Sequence, residues 1–526
     1  MVPNFPILNR GVYRSGYTGS FYDPRTLITK IVAPKFNYLD EDDLFLKTYE
    51  YSATLIHERV HWLQHHGTSF GCFLGALRLS QQSTTLRVLR EENFDQIEIL
   101  LERRNKDGRS ILNLNPETQY PTFTSNSEVI NLFGQIWFDH QWVHNIFDNS
   151  QCVERKPGVV PGKVIGEVIS DVVIAFREYN SLLHSNDINI ENSLEVRQWF
   201  SIEDSEMVFV SMFGMRLTSK LIMESPALIS ELQILSAQIN YIGKSGKRKA
   251  LESRIKTIVN GDYGIPIRCL LKVLNMDLNS LQRVLPTVNV ICFIALNPPL
   301  PPYVINPPEN CLSWSWQDIY PPIRFARLSH CVWKIGLLKD RSNHKEISEY
   351  IEKICNLCNI PHTINTYYPD IRDREFLDFS NPDNISNDFF KSYEYREFSH
   401  NDYIFWVQSR LAEYKMKSLP LLVNLGDCMS GDLLIEHYSD MVVYDEIPFT
   451  ICPLRWTDDD QVGFSCSPDF GNWLLRSVLL EYVLFDVVAG NGQYDLNEFP
   501  KEVRESDEIQ SILANSIHAS LKTPNY

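Results

Sequence analysis

Two histidines and a glutamate in the first part of the chain have a spacing that can support metal chemistry. Residues 54–67 read Thr-Leu-Ile-His-Glu-Arg-Val-His-Trp-Leu-Gln-His-His-Gly. His57 and His61 are four residues apart, so on a helix they stand one turn above each other and can bind one Zn²⁺ ion. Glu58 follows the first histidine and can accept a proton from a water molecule on that metal. The segment therefore predicts a zinc site with its own general base.

The residues around this motif have the periodicity of a helix with two different faces. Apolar residues lie on one side of the helix, and the two histidines lie about 100° away from them. The apolar positions are Ile56, Val60 and Leu63. Such a helix packs through one face and lines a cleft with another, although a surface helix rich in histidine is the alternative. Chance alone would produce this five-residue pattern in roughly 0.02 of chains of this composition.

The H-E-x-x-H motif at 57–61 resembles that of the zincin metallopeptidases, in which it lies on the active-site helix. One branch of that family continues H-E-x-x-H-x-x-G-x-x-H, but Gln64 and Gly67 stand at the later positions here. The chain is more similar to the branch that takes a glutamate from a later helix as third ligand. The resemblance implies that the paired histidines bind zinc, that Glu58 is the general base, and that peptide bonds of a protein or peptide are cleaved.

Two glutamates compete to be the third ligand that a catalytic zinc site needs beside its open position for water. Glu167 begins a Glu-Val-Ile-Ser-Asp sequence, similar to the E-x-x-S-D signature of some zincins. There the aspartate, here Asp171, orients a ligand histidine. Glu224 begins a Glu-Ser-Pro-Ala sequence, similar to the E-G-x-A element of other zincins except that Ser225 replaces glycine.

Helical geometry favours Glu224. Glu167 shares a polar stripe of its helix, which a solvated face explains. Glu224 lies within about 60° of a stripe of leucine and isoleucine residues if its segment is one helix, and Glu231 lies on the same face. A carboxylate in an apolar stripe is costly unless a cation meets it. We therefore predict Glu224 as third ligand, Glu167 as the alternative, and Glu231 as a partner of a ligand histidine. Pro226 would break this face if it began a new helix.

The composition limits the class of protein and its partners. Of 526 residues, 44% are hydrophobic and 22% are charged, which is typical of a folded soluble protein. The net charge of -17 argues against nucleic acid or an anionic membrane as the main partner. The start of the chain predicts no signal peptide, and the apolar run at 288–296 is too short to span a membrane. Eleven cysteines leave at least one thiol free. We predict a cytoplasmic protein that binds a protein or peptide substrate and an activating or regulatory protein partner.

The elements that must position the site predict a mainly α-helical fold with a small N-terminal β-sheet around a zincin-like α+β core. Six prolines between residues 297 and 310 favour an extended connector. We therefore predict a metallopeptidase domain at 1–296, a connector at 297–310 and a mostly helical recognition or regulatory region at 311–526. The alternative is a long ordered loop within one domain. Helices are predicted at 44–66, 70–92, 125–148, 162–182, 205–242, 278–296, 324–338, 345–358, 402–416 and 471–489.

Two rival functions follow from the same residues. A non-catalytic interaction protein would close a structural zinc site with a fourth ligand, such as His65 or His140. A zinc hydrolase acting on a non-peptide bond would lack an exposed strand edge beside the metal, because that edge is what pairs with an extended peptide. The β-branched segment at 26–32 is the predicted edge strand.

Overall fold

The computed structural model describes the chain in several parts, which carry the candidate site. They are residues 20–23, 28–30, 41–91, 139–140, 143–144, 146–147, 161–184, 200–202, 210–241, 246–304, 312–366, 400–426, 454–456 and 462–464. The predicted helix at 471–489 and most of the one at 125–148 lie outside these residues.

The described part of the chain is mostly helical, as predicted. The helices are α1 (Glu41–Gly67), α2 (Ser69–Glu91), α3 (Pro161–His184), α4 (Ser219–Tyr241), α5 (Gly246–Asn260), α6 (Ile265–Val273), α7 (Leu281–Ala295), α8 (Trp316–Ile319), α9 (Pro321–Ile335), α10 (His344–Cys358), α11 (His400–Lys417) and α12 (Leu419–Val423). The strands are β1 (Phe21–Asp23), β2 (Ile28–Lys30), β3 (Phe200–Ile202), β4 (Ser211–Met212), β5 (Met215–Arg216), β6 (Leu312–Trp314), β7 (Leu454–Trp456) and β8 (Val462–Phe464).

One predicted helix begins later than its sequence pattern indicates. The prediction covered 205–242, but helix α4 begins at Ser219 and the strands β4 and β5 precede it. Phe213 and Gly214 form the turn between these strands, with φ values of 53° and 75°. Two successive left-handed residues are what a tight hairpin turn needs, and a helix cannot accommodate them.

A small N-terminal sheet is not confirmed in the predicted form. Strands β1 and β2 belong to a sheet in the order β1-β2-β7-β8, so half of its strands come from the far end of the chain. β2 pairs antiparallel with β1 and parallel with β7. The segment at 26–32 therefore cannot be the edge strand, and that prediction is wrong. Among the described strands, the two edges of this sheet are β8 and β1, and β1 lies against α1.

The apolar core joins helices from both sides of the proline-rich segment. Its buried side chains come from every helix from α2 to α10 and from α12. Helix α7 is central, because every residue from Val284 to Ala295 is buried. The segment Leu278–Ala295 is apolar and long enough to cross a membrane, but 72% of it is buried inside the protein. A core helix of a soluble protein has this character.

Helix packing and a glycine fix the positions of α1 and α2 at the candidate site. Helix α1 packs along α4, and the chain then turns sharply into α2. At this corner a Cβ atom on Gly71 would collide with the backbone of Gln64 and His65. Glycine therefore allows the start of α2 to approach the end of the helix that carries the histidines.

The first half of the predicted connector is buried and tied into the core. Leu300 is fully buried, and the Arg324 side chain beside this segment is also fully buried. Its guanidinium donates to backbone carbonyls of Ile294, Ala295, Asn297, Asp318 and Pro361, at 2.6–3.4 Å. Burial lowers the pKa of Arg324 to about 9, so the group is charged at neutral pH. The division of the chain at 297–310 stays a prediction.

Lys415 on α11 attaches a further helix to the same segment. Its side chain is fully buried. The Nζ atom lies 3.1 Å from Oδ1 of Asn297 and 4.0 Å from the ring centroid of Tyr303. Burial lowers the pKa of Lys415 to about 7, although the nearby Cys72 opposes this shift. Because the unfolded chain holds that proton more tightly, burial of this amine costs stability at neutral pH.

We expect Arg324→Met to lower the free energy of unfolding by about 3 kcal/mol or more, because it leaves buried carbonyls without donors. Arg327→Met is the matched control. Arg327 also donates to backbone carbonyls, but its side chain is 29% exposed and water can replace it. Urea unfolding measures both variants. Equal decreases in the free energy of unfolding for the two variants would contradict the prediction. They would show that the buried hydrogen bonds of Arg324 contribute no more stability than the exposed ones of Arg327.

We expect the stability of the wild type to rise with pH through the titration of Lys415. The pKa of this amine is about 7 in the folded protein, against an ordinary value of 10.5 for lysine. The unfolded chain therefore binds more protons between these values, and raising the pH from 7 to 9 adds roughly 2 kcal/mol. Urea unfolding at both pH values should show this rise in the wild type and in Lys417→Met, whose side chain is 74% exposed. Lys415→Met should lack it, and an undiminished rise in that variant would contradict the assignment.

Candidate metal centre

Helices α1 and α4 bring the predicted metal ligands together. On α1 the apolar stripe is buried, with Ile56, Val60 and Leu63 each no more than 5% exposed. The imidazoles of His57 and His61 are 15% and 14% exposed, so they line a surface that solvent can reach. The two-faced helix inferred from the periodicity is present in the structure.

On the opposite side, Glu224 lies in the first half of α4. Pro226 is inside this helix and does not begin a new one. Glu224 and Glu231 therefore stay on one face of one helix, and both contact His57. The continuous face that the third-ligand argument required is present.

The distances among the three side chains fit a tetrahedral metal ion. Nε2 of His57 and Nε2 of His61 are 3.2 Å apart. Oε2 of Glu224 lies 3.3 Å from the His61 nitrogen and 3.5 Å from the His57 nitrogen. Bonds of 2.0–2.1 Å to a tetrahedral zinc would separate neighbouring ligand atoms by about 3.3 Å. The group His57, His61 and Glu224 can therefore hold a metal ion.

The other nitrogen of each imidazole also meets a side chain. Nδ1 of His57 lies 3.5 Å from Oε2 of Glu231, which is an electrostatic contact rather than a well-formed hydrogen bond. Nδ1 of His61 lies 3.1 Å from Oε1 of Gln64. Partners on Nδ1 orient an imidazole so that its Nε2 faces the metal. The predicted contact of Glu231 with a ligand histidine is present.

The charges at this centre favour a cation. Burial alone would lower the pKa of His57, but Glu224, Glu231 and Glu58 outweigh it and raise the pKa to about 10. Burial alone would raise the pKa of Glu224, but His61 and His57 hold it well below its usual range. Without a metal, a proton on His57 therefore balances the carboxylates. A divalent ion can take the place of that proton.

Glu58 is buried beside the pair, with 5% of its surface exposed. Burial raises its pKa, while His57 and His61 lower it in part. The backbone N–H of Tyr22, in β1, donates a hydrogen bond to Glu58 and also opposes the rise. The Tyr22 hydroxyl lies 2.7 Å from Nε2 of His66 on α1. These two contacts fasten the edge strand over the helix that carries the histidines.

The remaining predicted residues lie outside the three-ligand group. Glu167 is on α3 and is not a member of it. His140 is fully buried, with its Nε2 2.9 Å from Oγ of Ser80. His65 lies one turn beyond His61, and burial lowers its pKa well below the usual range. Neither histidine belongs to the group, so the described residues provide no fourth protein ligand.

Two residues of the site were not assigned a role from the sequence. No local sequence pattern marks Tyr22 as a residue of the site, because β1 lies over α1 only in the folded protein. Gln64 lies three residues after His61, a spacing that allows side-chain contact on a helix, but its second partner is on α4 and is invisible in the sequence.

Comparison with protein-family models, with curated proteins and with solved structures gave no match.

We expect Glu224→Ala to weaken zinc binding by about 100-fold or more, because it removes one of three ligands. Glu167→Ala should bind zinc like the wild type, since Glu167 is outside the group. Titration with a chromophoric chelator measures the affinity, and circular dichroism verifies that both variants are folded. Loss of the metal from Glu167→Ala alone would reverse the assignment.

Proposed function

We propose that the protein is a zinc-dependent peptidase that hydrolyses peptide bonds of a protein or peptide substrate. The observation that carries the proposal is the triangle of His57, His61 and Glu224 at 3.2–3.5 Å, with the buried Glu58 next to it. Two imidazoles and one carboxylate form a ligand set that catalytic zinc sites use. The absence of a fourth ligand among the described residues supports an open position rather than a closed structural site.

The ligands and the base have separate tasks in this proposal. His57, His61 and Glu224 would hold the ion, which when bound polarises a carbonyl and lowers the pKa of a water molecule to about 7. Glu58 would take the proton of the attacking water at its carboxylate and pass it to the leaving amine. Burial raises the pKa of Glu58, which makes its carboxylate a stronger proton acceptor than an exposed one.

The position of β1 supports an extended substrate. Among the described strands β1 pairs with β2 alone, and the N–H of Tyr22 donates to Glu58. The contact with Glu58 places β1 beside the helix that carries the candidate centre. An extended peptide that binds alongside β1 would therefore pass next to Glu58. A hydrolase for a non-peptide bond remains the second candidate, since the ligands alone do not select the bond.

Two other predictions from the sequence remain part of the proposal. The six cysteines in the described part of the chain are free thiols, which suits a reducing compartment such as the cytoplasm. The region 311–526 is proposed to regulate cleavage or to bind an activating partner.

We expect Glu58→Gln to keep about one zinc ion per chain and to lose peptide cleavage by a factor of roughly 10² to 10⁴. Glutamine preserves the size of the side chain but cannot accept a proton. Elemental analysis measures the zinc, and mass spectrometry of a mixed peptide library measures the cleavage. Glu167→Gln is the control and should cleave like the wild type.

Two results would contradict the proposal. One is a wild type without zinc. The other is a Glu58→Gln variant that cleaves peptides as fast as the wild type. A zinc-loaded wild type that hydrolyses esters but no peptide in the library would favour the second candidate.

A further inference from the structure

One buried amide connects the two helices of the candidate centre. Gln64 lies on α1, one turn after His61, and is 6% exposed. Its Nε2 donates to the backbone carbonyl of Met223 on α4, at 2.7 Å. Its Oε1 lies 3.1 Å from Nδ1 of His61. Met223 directly precedes Glu224, so this side chain contacts one ligand and the backbone next to another.

The partner on α4 determines which way round the amide lies. A carbonyl oxygen can only accept a hydrogen bond, so the NH₂ group of Gln64 must face Met223. Its oxygen then faces His61 and can only accept. Nδ1 of His61 must therefore carry the hydrogen, and the lone pair of this imidazole is on Nε2. That nitrogen is the one that faces His57 and Glu224.

The carbonyl of Met223 lies in a weakened turn of α4. Pro226 has no N–H, so the ladder bond to the carbonyl of Ile222 cannot form. Met223 is in the same turn and accepts a bond from outside the helix. A bond from α1 at this point helps to hold the turn that presents Glu224.

We propose that Gln64 is a positioning residue that sets the tautomer of His61 and the position of Glu224 through the two ends of one amide. The inference rests on the metal centre of the proposed function and extends it to a residue that touches no metal. Glutamine is required because it has an acceptor and a donor. Glutamate retains only acceptors, and leucine has neither.

The experiment compares Gln64→Leu and Gln64→Glu with the wild type as full-length proteins. The probes are Zn²⁺ affinity and the visible absorption spectrum of the protein saturated with Co²⁺. Gln233→Leu is the matched control, because Gln233 is also buried and lies on α4. Its Oε1 has no hydrogen-bond partner in the described part of the structure.

We expect Gln64→Leu to weaken zinc binding by about 10- to 100-fold and to shift the Co²⁺ bands, because the third ligand and one imidazole lose their orientation. Gln64→Glu should shift the bands and lose at least about fivefold in affinity, because the carboxylate repels the Met223 carbonyl. Gln233→Leu should match the wild type in both measurements.

Either of two results would overturn the inference. One is a Gln64→Leu variant that differs from the wild type no more than Gln233→Leu does. The other is a Gln64→Glu variant with wild-type affinity and spectrum, which would show that the bond to α4 is irrelevant. Neither readout involves hydrolysis, so a wild type that binds zinc but cleaves no peptide would contradict the proposed function and leave this test decisive. A wild type that binds no metal would contradict both.

Discussion

The packing of α1 along α4 is the constraint on which the candidate centre depends. Each helix alone offers an incomplete set of ligands: α1 has two imidazoles and α4 has one carboxylate. Their contact brings Nε2 of His61 to 3.3 Å from Glu224. Burial at this contact would be costly for the carboxylate alone. Imidazoles within 3.5 Å compensate for that cost, and a bound cation would compensate for it further.

Buried polar contacts link the elements that pack around this pair of helices. Arg324 joins carbonyls from the end of α7, from α8 and from the segment after α10. Lys415 joins α11 to Asn297. Buried cations are expensive unless several acceptors meet them, so each of these side chains restricts the backbone around it. The same contacts make the first part of the proline-rich segment a packed element of the core.

The local patterns predicted most helices because burial repeats along a helix. The apolar stripe of α1 is recognisable from three positions, and Glu224 stood out because most of its helix face is apolar. The start of α4 was missed because residues 205–218 contain apolar residues at helical spacing, while the left-handed turn at Phe213 and Gly214 leaves only one glycine as a signal. Helix α5 was missed because its basic N-terminal residues are typical of a solvated loop.

The order of strands and the partners of the site could not be read from local patterns. β2 and β7 are more than 400 residues apart in the chain, and pairing at that distance leaves no periodic trace in either segment. Tyr22 and Met223 reach Glu58 and Gln64 only after folding. These contacts use backbone groups, which every residue possesses, so the side-chain types did not indicate them.

By itself, the sequence determined the residue types and their spacing: two histidines one turn apart, a glutamate beside them and a carboxylate in an apolar stripe. Helical geometry makes such spacing meaningful, because residues four apart always share a face. Only the tertiary structure decided which distant glutamate meets the histidines, which strands pair and which amide contacts His61. Those outcomes depend on how the surfaces of whole helices and strands pack together. Residues that are adjacent in the sequence do not determine that packing.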